Sequence, residues 1–199
     1  MSAGPARAVF LDRDGTLLDE LGFLVRPEDV RLLPRAAEGV RVLNAAGWRT
    51  VVVTNQSGVA RGLLDEEKLA AVHARLASVL AEQGAHLDAI LYCPHHPEEG
   101  TGPLRCACTC RKPAPGLLLE AARRFSLDLG ASWIVGDSLR DLESGRRAGL
   151  AGGWLVLTGK GAEEQALLPR GADVRVAPDL LAAARLIVGV AGVLSPPTQ

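Results

Sequence analysis

The sequence predicts an open α/β fold, a doubly wound parallel sheet with helices on both faces. Two observations predict it. Short β-branched or apolar runs alternate with longer segments of helical period, and each short run is about as long as a strand buried on both faces requires. The first such run is Ala8–Leu11 and the second Thr50–Thr54. A helix then follows in which Leu69, Val72, Leu76, Val79 and Leu80 share one face, with Asp65 placed to cap its start and Gly84 to end it. The third strand is Ala89–Tyr92. From Pro94 to Pro115 no period is visible, and the segment is too long for an ordinary connection, so it is functional or is held by something other than packing. Leu117, Leu118, Ala121, Ala122 and Phe125 form another apolar helical face after Pro115, and further strands fall at Trp133–Val135 and Trp154–Leu157. Leu180–Leu194 is apolar but interrupted by Arg185 and shorter than the about 20 residues that span a bilayer, so it reads as a core helix or docked tail. A single domain over 1–190 is expected, with a C-terminal tail over 191–199 whose end, Ser195–Gln199, frays.

The 199 residues are enough to bury a substantial core. A net charge of −1 leaves no sequence-wide field to hold a polyanion, so nucleic acid is not an expected partner. Met1 to Arg7 does not read as a secretory signal, no membrane association is expected, and the expected location is the cytoplasm. The absence of an obvious extra apolar face suggests a monomer.

Ligands of open α/β sheets bind beyond the carboxyl ends of the strands, and here those ends are unusually polar. The first strand exits into Asp12-Arg13-Asp14-Gly15-Thr16, the second into Thr54-Asn55-Gln56-Ser57, and the fourth into Gly136-Asp137-Ser138, with Asp141 beyond. Arg111 and Lys112 lie between the third and fourth strands. Asp12 and Asp14, two apart on a chain leaving a strand, can point both carboxylates at one site and attract a cation. Magnesium suits such oxygens and leaves room for a substrate phosphate, with Asp137 as the distant third acid. An Asp-Gly pair alone would read as a turn, and Thr54 or Lys112 alone as ordinary strand-end and surface residues. The order acid pair, hydroxyl, lysine, acid is what a phosphoryl site on this topology needs: nucleophile, oxyanion donors and metal ligand from successive crossings.

All four cysteines fall between Cys93 and Cys110, a clustering that in a reducing compartment points to metal rather than disulfides. Cys93-Pro94-His95 and Cys108-Thr109-Cys110 offer three thiolates and one imidazole, a closed tetrahedral zinc set that would staple the loop over about 93–110. Cys106 forms an overlapping C-x-C with Cys108, and His96 competes with His95, so spacing leaves the ligand set open. Fixing Cys110 would also fix Arg111 and Lys112, which follow it. A zinc deaminase is set aside: His96-Pro97-Glu98 fits H-x-E, but the P-C-x-x-C partner is missing.

With Asp12-Arg13-Asp14-Gly15-Thr16, Thr54, Lys112 and Gly136-Asp137 with Asp141, the chain resembles the haloacid dehalogenase-like phosphatases. The resemblance implies a Rossmann-like core, Asp12 as nucleophile, Asp14 as general acid and base, Thr54 and Lys112 holding the transferring phosphoryl group, and Mg²⁺ on Asp12, Asp14 (through its backbone carbonyl) and Asp137. Within that family, Tyr92-Cys93-Pro94-His95-His96-Pro97 and Cys108-Thr109-Cys110-Arg111-Lys112-Pro113 resemble the D-glycero-D-manno-heptose 1,7-bisphosphate 7-phosphatase branch, over roughly Val9 to Thr158. That branch implies Zn²⁺ on Cys93, His95, Cys108 and Cys110, and a phosphorylated sugar as substrate. Arg111 would help recognise it, and Glu20, Leu21, Gly22, Phe23, Asn55, Gln56 and Ser57 would line its pocket. Ser138, at the exit of the fourth strand, is counted with them. No long insertion follows Thr16 or Asn55, so no separate cap domain is expected and loops must enclose the substrate. The competing readings are a histidinol-phosphate phosphatase of the same subfamily, a phosphotransferase sharing the phospho-aspartate, and a zinc-stapled binding module whose acids are merely solvated.

Overall fold

The computed structural model describes residues 5–20 and 22–194. Six parallel strands form one sheet: β1 (Ala8–Leu11), β2 (Arg49–Asn55), β3 (Ala89–Cys93), β4 (Trp133–Gly136), β5 (Gly152–Val156) and β6 (Arg175–Ala177). Their order is β3-β2-β1-β4-β5-β6, with Leu11 level with Val52 on one side and Val135 on the other. The strands are joined through α1 (Ala36–Ala45), α2 (Glu66–Ala81), α3 (Gly116–Phe125), α4 (Leu139–Ala148) and α5 (Gly161–Ala166), and α6 (Leu180–Leu194) follows β6.

Strand periodicity divides the core into two layers. Val9, Leu11, Val52 and Val135 face one cluster, closed by Val40 and Leu43 of α1, Val72, Leu76 and Leu80 of α2, and Ala184 and Ile187 of α6. Ala8, Phe10, Val51, Val53 and Ile134 face the other, closed chiefly by Leu117, Leu118 and Ala121 of α3. Helix α2 is built as its sequence dictates: the Asp65 carboxylate accepts from the Lys68 N–H at 2.7 Å, and Gly84 past its end is left-handed at φ 72°.

Three differences from the sequence reading have physical reasons. Strand β5 begins at Gly152, not Trp154. Its two glycines look like turn residues, but a Cβ at Gly152 would meet the Trp133 ring and one at Gly153 would meet Leu142 and Ile134, so they are strand positions with no room for a side chain. Strand β6, three residues at the sheet edge beginning with an exposed arginine, carries too little apolar signal to be read. Helix α6 runs to Leu194, beyond position 191 where the sequence predicts the tail to begin, with Leu180, Leu181, Ala183 and Ala184 buried. Ser195–Gln199 lie outside the described residues. Among the described residues no second domain is inserted into the chain, and no helix is long and apolar enough to cross a membrane.

Candidate active site

The chain winds outward from β1 in both directions, so the crevice beyond the carboxyl ends of β1 and β4 is the switch point at which ligands of such sheets bind. A cavity of about 250 Å³ opens there, lined by Asp12, Asp14, Glu20, Gly22, Phe23, Thr54, Asn55, Gln56, Ser57, Arg111, Lys112, Asp137, Ser138, Arg140 and Lys160. Every catalytic and substrate-pocket residue expected from the sequence is among them except Leu21, which lies outside the described residues, while the motif acid Asp141 is buried behind the cavity wall.

Asp12 leaves β1 with its N–H bonded to the Val135 carbonyl at 3.0 Å, which fixes it between β1 and β4. The Lys112 ammonium lies 2.8 Å from Asp12 Oδ1 and 2.7 Å from Asp141 Oδ1, forming a buried bridge between the two acids. Burial alone would lower the Lys112 pKa, but Asp12 and Asp141 outweigh it and the net shift is upward, so the lysine stays charged. Asn55 at the end of β2 holds the Lys112 backbone: its Oδ1 accepts from the Lys112 N–H at 3.0 Å, and its amide donates to the Lys112 carbonyl at 3.1 Å.

Asp14 is held differently. Arg13 donates Nε to Asp14 Oδ1 at 3.0 Å and Nη2 to Oδ2 at 2.9 Å. Gln56 donates Nε2 to Asp14 Oδ2 at 2.9 Å and to Thr54 Oγ1 at 2.8 Å, so one amide ties the second acid to the strand-end hydroxyl.

The carboxylates whose oxygens gather within 4.8 Å are those of Asp12, Asp137 and Asp141. The side chain of Asp14, which accepts from Arg13 and Gln56, is not in this group, whereas Asp141 is. Asp141 also accepts from the Ser138 N–H at 3.1 Å, closing the first turn of α4. Burial pushes the Asp137 carboxyl up to about 7, helped by Asp12, Asp141 and Glu20. Three acids share one ammonium, a set of oxygens that a hard divalent cation would fit. The backbone makes room for the Asp137 carboxylate: Gly15 and Gly159 have φ of 76° and 53°, and a Cβ on either would overlap it. The Lys160 N–H donates to Asp137 Oδ2 at 2.9 Å.

The second candidate metal centre lies at the mouth of β3. Cys93, His95, Cys108 and Cys110 converge, with Cys110 Sγ 3.1 Å from Cys93 Sγ, 3.4 Å from Cys108 Sγ and 3.4 Å from His95 Nδ1. These separations are close to the roughly 3.8 Å edge of a tetrahedron with Zn–S bonds of about 2.3 Å, and far beyond the about 2.05 Å of a disulfide. Cys106 is outside the cluster. His96 is committed elsewhere, its Nδ1 accepting from the N–H groups of Glu98 and Glu99 at 3.2 and 2.9 Å. Arg111 donates Nη1 to the His95 carbonyl at 3.1 Å, so a cavity-lining arginine is anchored on the cluster itself.

Two cavity residues escaped the sequence reading. Arg140 sits in the first turn of α4, its Nε 3.1 Å from Ser138 Oγ, and Lys160 follows β5, its ammonium 3.6 Å from Glu20. Extending the strand-exit rule to the fifth strand would have found Lys160; Arg140 gives no signal beyond its closeness to Asp137 in sequence.

The HAD-hydrolase-like family model matches residues 109–183. A D-glycero-beta-D-manno-heptose-1,7-bisphosphate 7-phosphatase from Bordetella bronchiseptica is 42% identical over 185 residues, covering 92% of this chain and 98% of that protein. The Escherichia coli enzyme of the same name is 39% identical over 153 residues, covering 77% and 80%. The crystal structure of the B. bronchiseptica D,D-heptose 1,7-bisphosphate phosphatase, complexed with magnesium and phosphate, superposes with a TM-score of 0.81 at 40% identity over 92% of this chain and 99% of that one. A Burkholderia thailandensis D,D-heptose 1,7-bisphosphate phosphatase gives 0.65 at 34% identity over 96% and 99%. The chain therefore belongs to the D-glycero-beta-D-manno-heptose-1,7-bisphosphate 7-phosphatase family of haloacid dehalogenase-like hydrolases.

Proposed function

We propose that this chain removes the 7-phosphate of D-glycero-β-D-manno-heptose 1,7-bisphosphate through a phosphoryl group carried on Asp12, with Mg²⁺ and Zn²⁺ as resident ions. One observation carries the reading: Asp12 Oδ1 is restrained by the Arg13 N–H at 2.7 Å and by Lys112, which leaves Oδ2 to attack phosphorus beside the separately held Asp14. Attack forms the Asp12–phosphorus bond and breaks the bond to the sugar oxygen, which takes a proton from Asp14. Asp14, now a carboxylate, accepts a proton from the water that breaks the acyl phosphate, and both acids return to their starting forms. Lys112 and Thr54 flank the transferring group and offset its charge. Asp12, Asp137 and Asp141 would hold Mg²⁺, with Asp14 contributing its main-chain carbonyl; bound there, the ion screens the phosphate oxygens from the incoming carboxylate.

The far phosphate and the sugar need further donors, and Arg111, Arg140 and Lys160 on the cavity wall can supply them. Zn²⁺ on Cys93, His95, Cys108 and Cys110 would hold the loop that carries Arg111 and Lys112. The activity for which the relatives are named supports this substrate and its β anomer.

The test is phosphate release from both anomers of heptose 1,7-bisphosphate, histidinol phosphate and fructose 1,6-bisphosphate, with Mg²⁺ or with EDTA. The expected result is Mg²⁺-dependent release, fastest from the β anomer, and abolished in Asp12→Asn while fold and zinc content persist. Preference for histidinol phosphate would keep the chemistry and overturn the substrate; turnover retained by Asp12→Asn would overturn the mechanism.

A further inference from the structure

Arg13 sits between the two motif acids in the chain, yet its side chain is 1% exposed and is absent from the cavity wall. Two of its nitrogens take both oxygens of Asp14 in a fork-on-fork pair, which fixes the plane of that carboxylate. The third, Nη1, lies 3.2 Å from Nε2 of His73 on α2. A guanidinium can only donate, so Nε2 must accept and the ring proton must be on Nδ1. Burial and the charge of Arg13 hold the His73 pKa down at about 3, so the ring remains a neutral acceptor at any ordinary assay pH. The ring itself is fixed: it is buried, its centroid lies 5.6 Å from that of Tyr92 at 60°, and Tyr92 donates in turn to Glu66 at 3.3 Å.

We propose that His73 is a positioning residue for the reaction, acting through Arg13 to orient the Asp14 carboxylate. The inference rests on the reading of Asp14 as proton carrier. Without an acceptor at Nε2 a buried N–H of Arg13 is left unbonded, and the guanidinium turns to find another partner. Asp14 then keeps only its Gln56 contact and no longer meets the leaving oxygen and the water in line. Both proton transfers slow, while substrate binding, which uses other residues, does not change.

The experiment compares His73→Phe, His73→Gln and Asp14→Asn in the full chain with Mg²⁺ and zinc. Phenylalanine keeps the ring against Tyr92 but has no acceptor; glutamine restores one. On heptose 1,7-bisphosphate, His73→Phe is expected to lower kcat about tenfold with KM unchanged, and His73→Gln to recover most of the loss. On p-nitrophenyl phosphate, whose leaving group needs no proton, His73→Phe should give a rapid burst of p-nitrophenol followed by slow turnover, because only hydrolysis of phospho-Asp12 still depends on Asp14. Wild-type kcat in folded His73→Phe, or equal losses in the Phe and Gln variants, would overturn the proposal. Should the Phe variant fail to fold, His73→Leu serves the same comparison. Turnover retained in Asp14→Asn would instead overturn the proton-carrier reading.

Discussion

Asn55 and Lys112 exchange two hydrogen bonds, of 3.0 and 3.1 Å, between the side-chain amide at the end of β2 and both backbone polar groups of the lysine. This clamp holds the backbone from which the Lys112 ammonium reaches Asp12 and Asp141. Asn55→Ala leaves the two backbone groups without their partner, at a cost of about 1–3 kcal/mol. The expected outcome is a lower urea midpoint together with at least about a tenfold fall in kcat for phosphate release, because the proposed mechanism needs the ammonium at the transferring group. Asn55→Asp keeps the acceptor and loses the donor, so its loss should be intermediate.

The cysteine cluster makes a separate prediction, because Arg111 is tied to it through the His95 carbonyl. Cys110→Ser should abolish bound zinc in elemental analysis and open the 94–109 segment to limited proteolysis. With Arg111 released, KM for the sugar bisphosphate should rise about tenfold. The Mg²⁺ requirement should not change, since the acid group is built on other elements.

Gly159 limits what can surround Asp137. A Cβ there would overlap both the Asp137 carboxylate and the Gly15 Cα, and φ is 53°. With Asp137 as the proposed Mg²⁺ ligand, Gly159→Ala is expected to displace its carboxylate on top of the backbone strain and to raise the Mg²⁺ concentration for half-maximal activity by about tenfold. Gly47→Ala is the control: φ is 75° but nothing lies within 4 Å, so it should cost stability, about 1 kcal/mol, and leave the Mg²⁺ titration unchanged.

His73 also gives the fold an acid sensitivity. Its pKa is about 3 in the folded chain against an ordinary 6.5, lowered by burial and then by Arg13. The unfolded state therefore binds the extra proton first. The stabilisation is fully present above pH 6.5 and is lost as pH falls towards about 3, at up to about 1.4 kcal/mol per pH unit. Urea midpoints measured between about pH 7 and pH 5 should fall less steeply for His73→Gln than for the native chain, whatever other groups titrate in both.

The motif acids, the strand-end hydroxyl and the motif lysine could be read from the sequence because each follows a strand whose apolar run is itself legible, and parallel crossings bring such exits to one edge. The cysteine pairs were readable for their spacing, but spacing left Cys106 and His96 as rivals. In the folded loop the His96 Nδ1 accepts from two backbone N–H groups, and the four side chains that converge are those of Cys93, His95, Cys108 and Cys110, without Cys106. Strand β6 and the glycine start of β5 were not legible, since an edge of three residues and a pair of glycines carry no apolar period.

By itself the sequence determined the order of chemical groups along the chain and the alternation that winds them into one sheet, since hydrophobic period and strand-exit polarity are local properties. Tertiary structure alone decided how those groups share the site. It placed the Asp14 side chain with Arg13 and Gln56, put Asp141 beside Asp12 and Asp137, and buried His73 against Arg13. The reason is physical: charge pairing, desolvation and hydrogen-bond satisfaction depend on distances across the crevice, and those distances exist only after β1, β2 and β4 lie side by side.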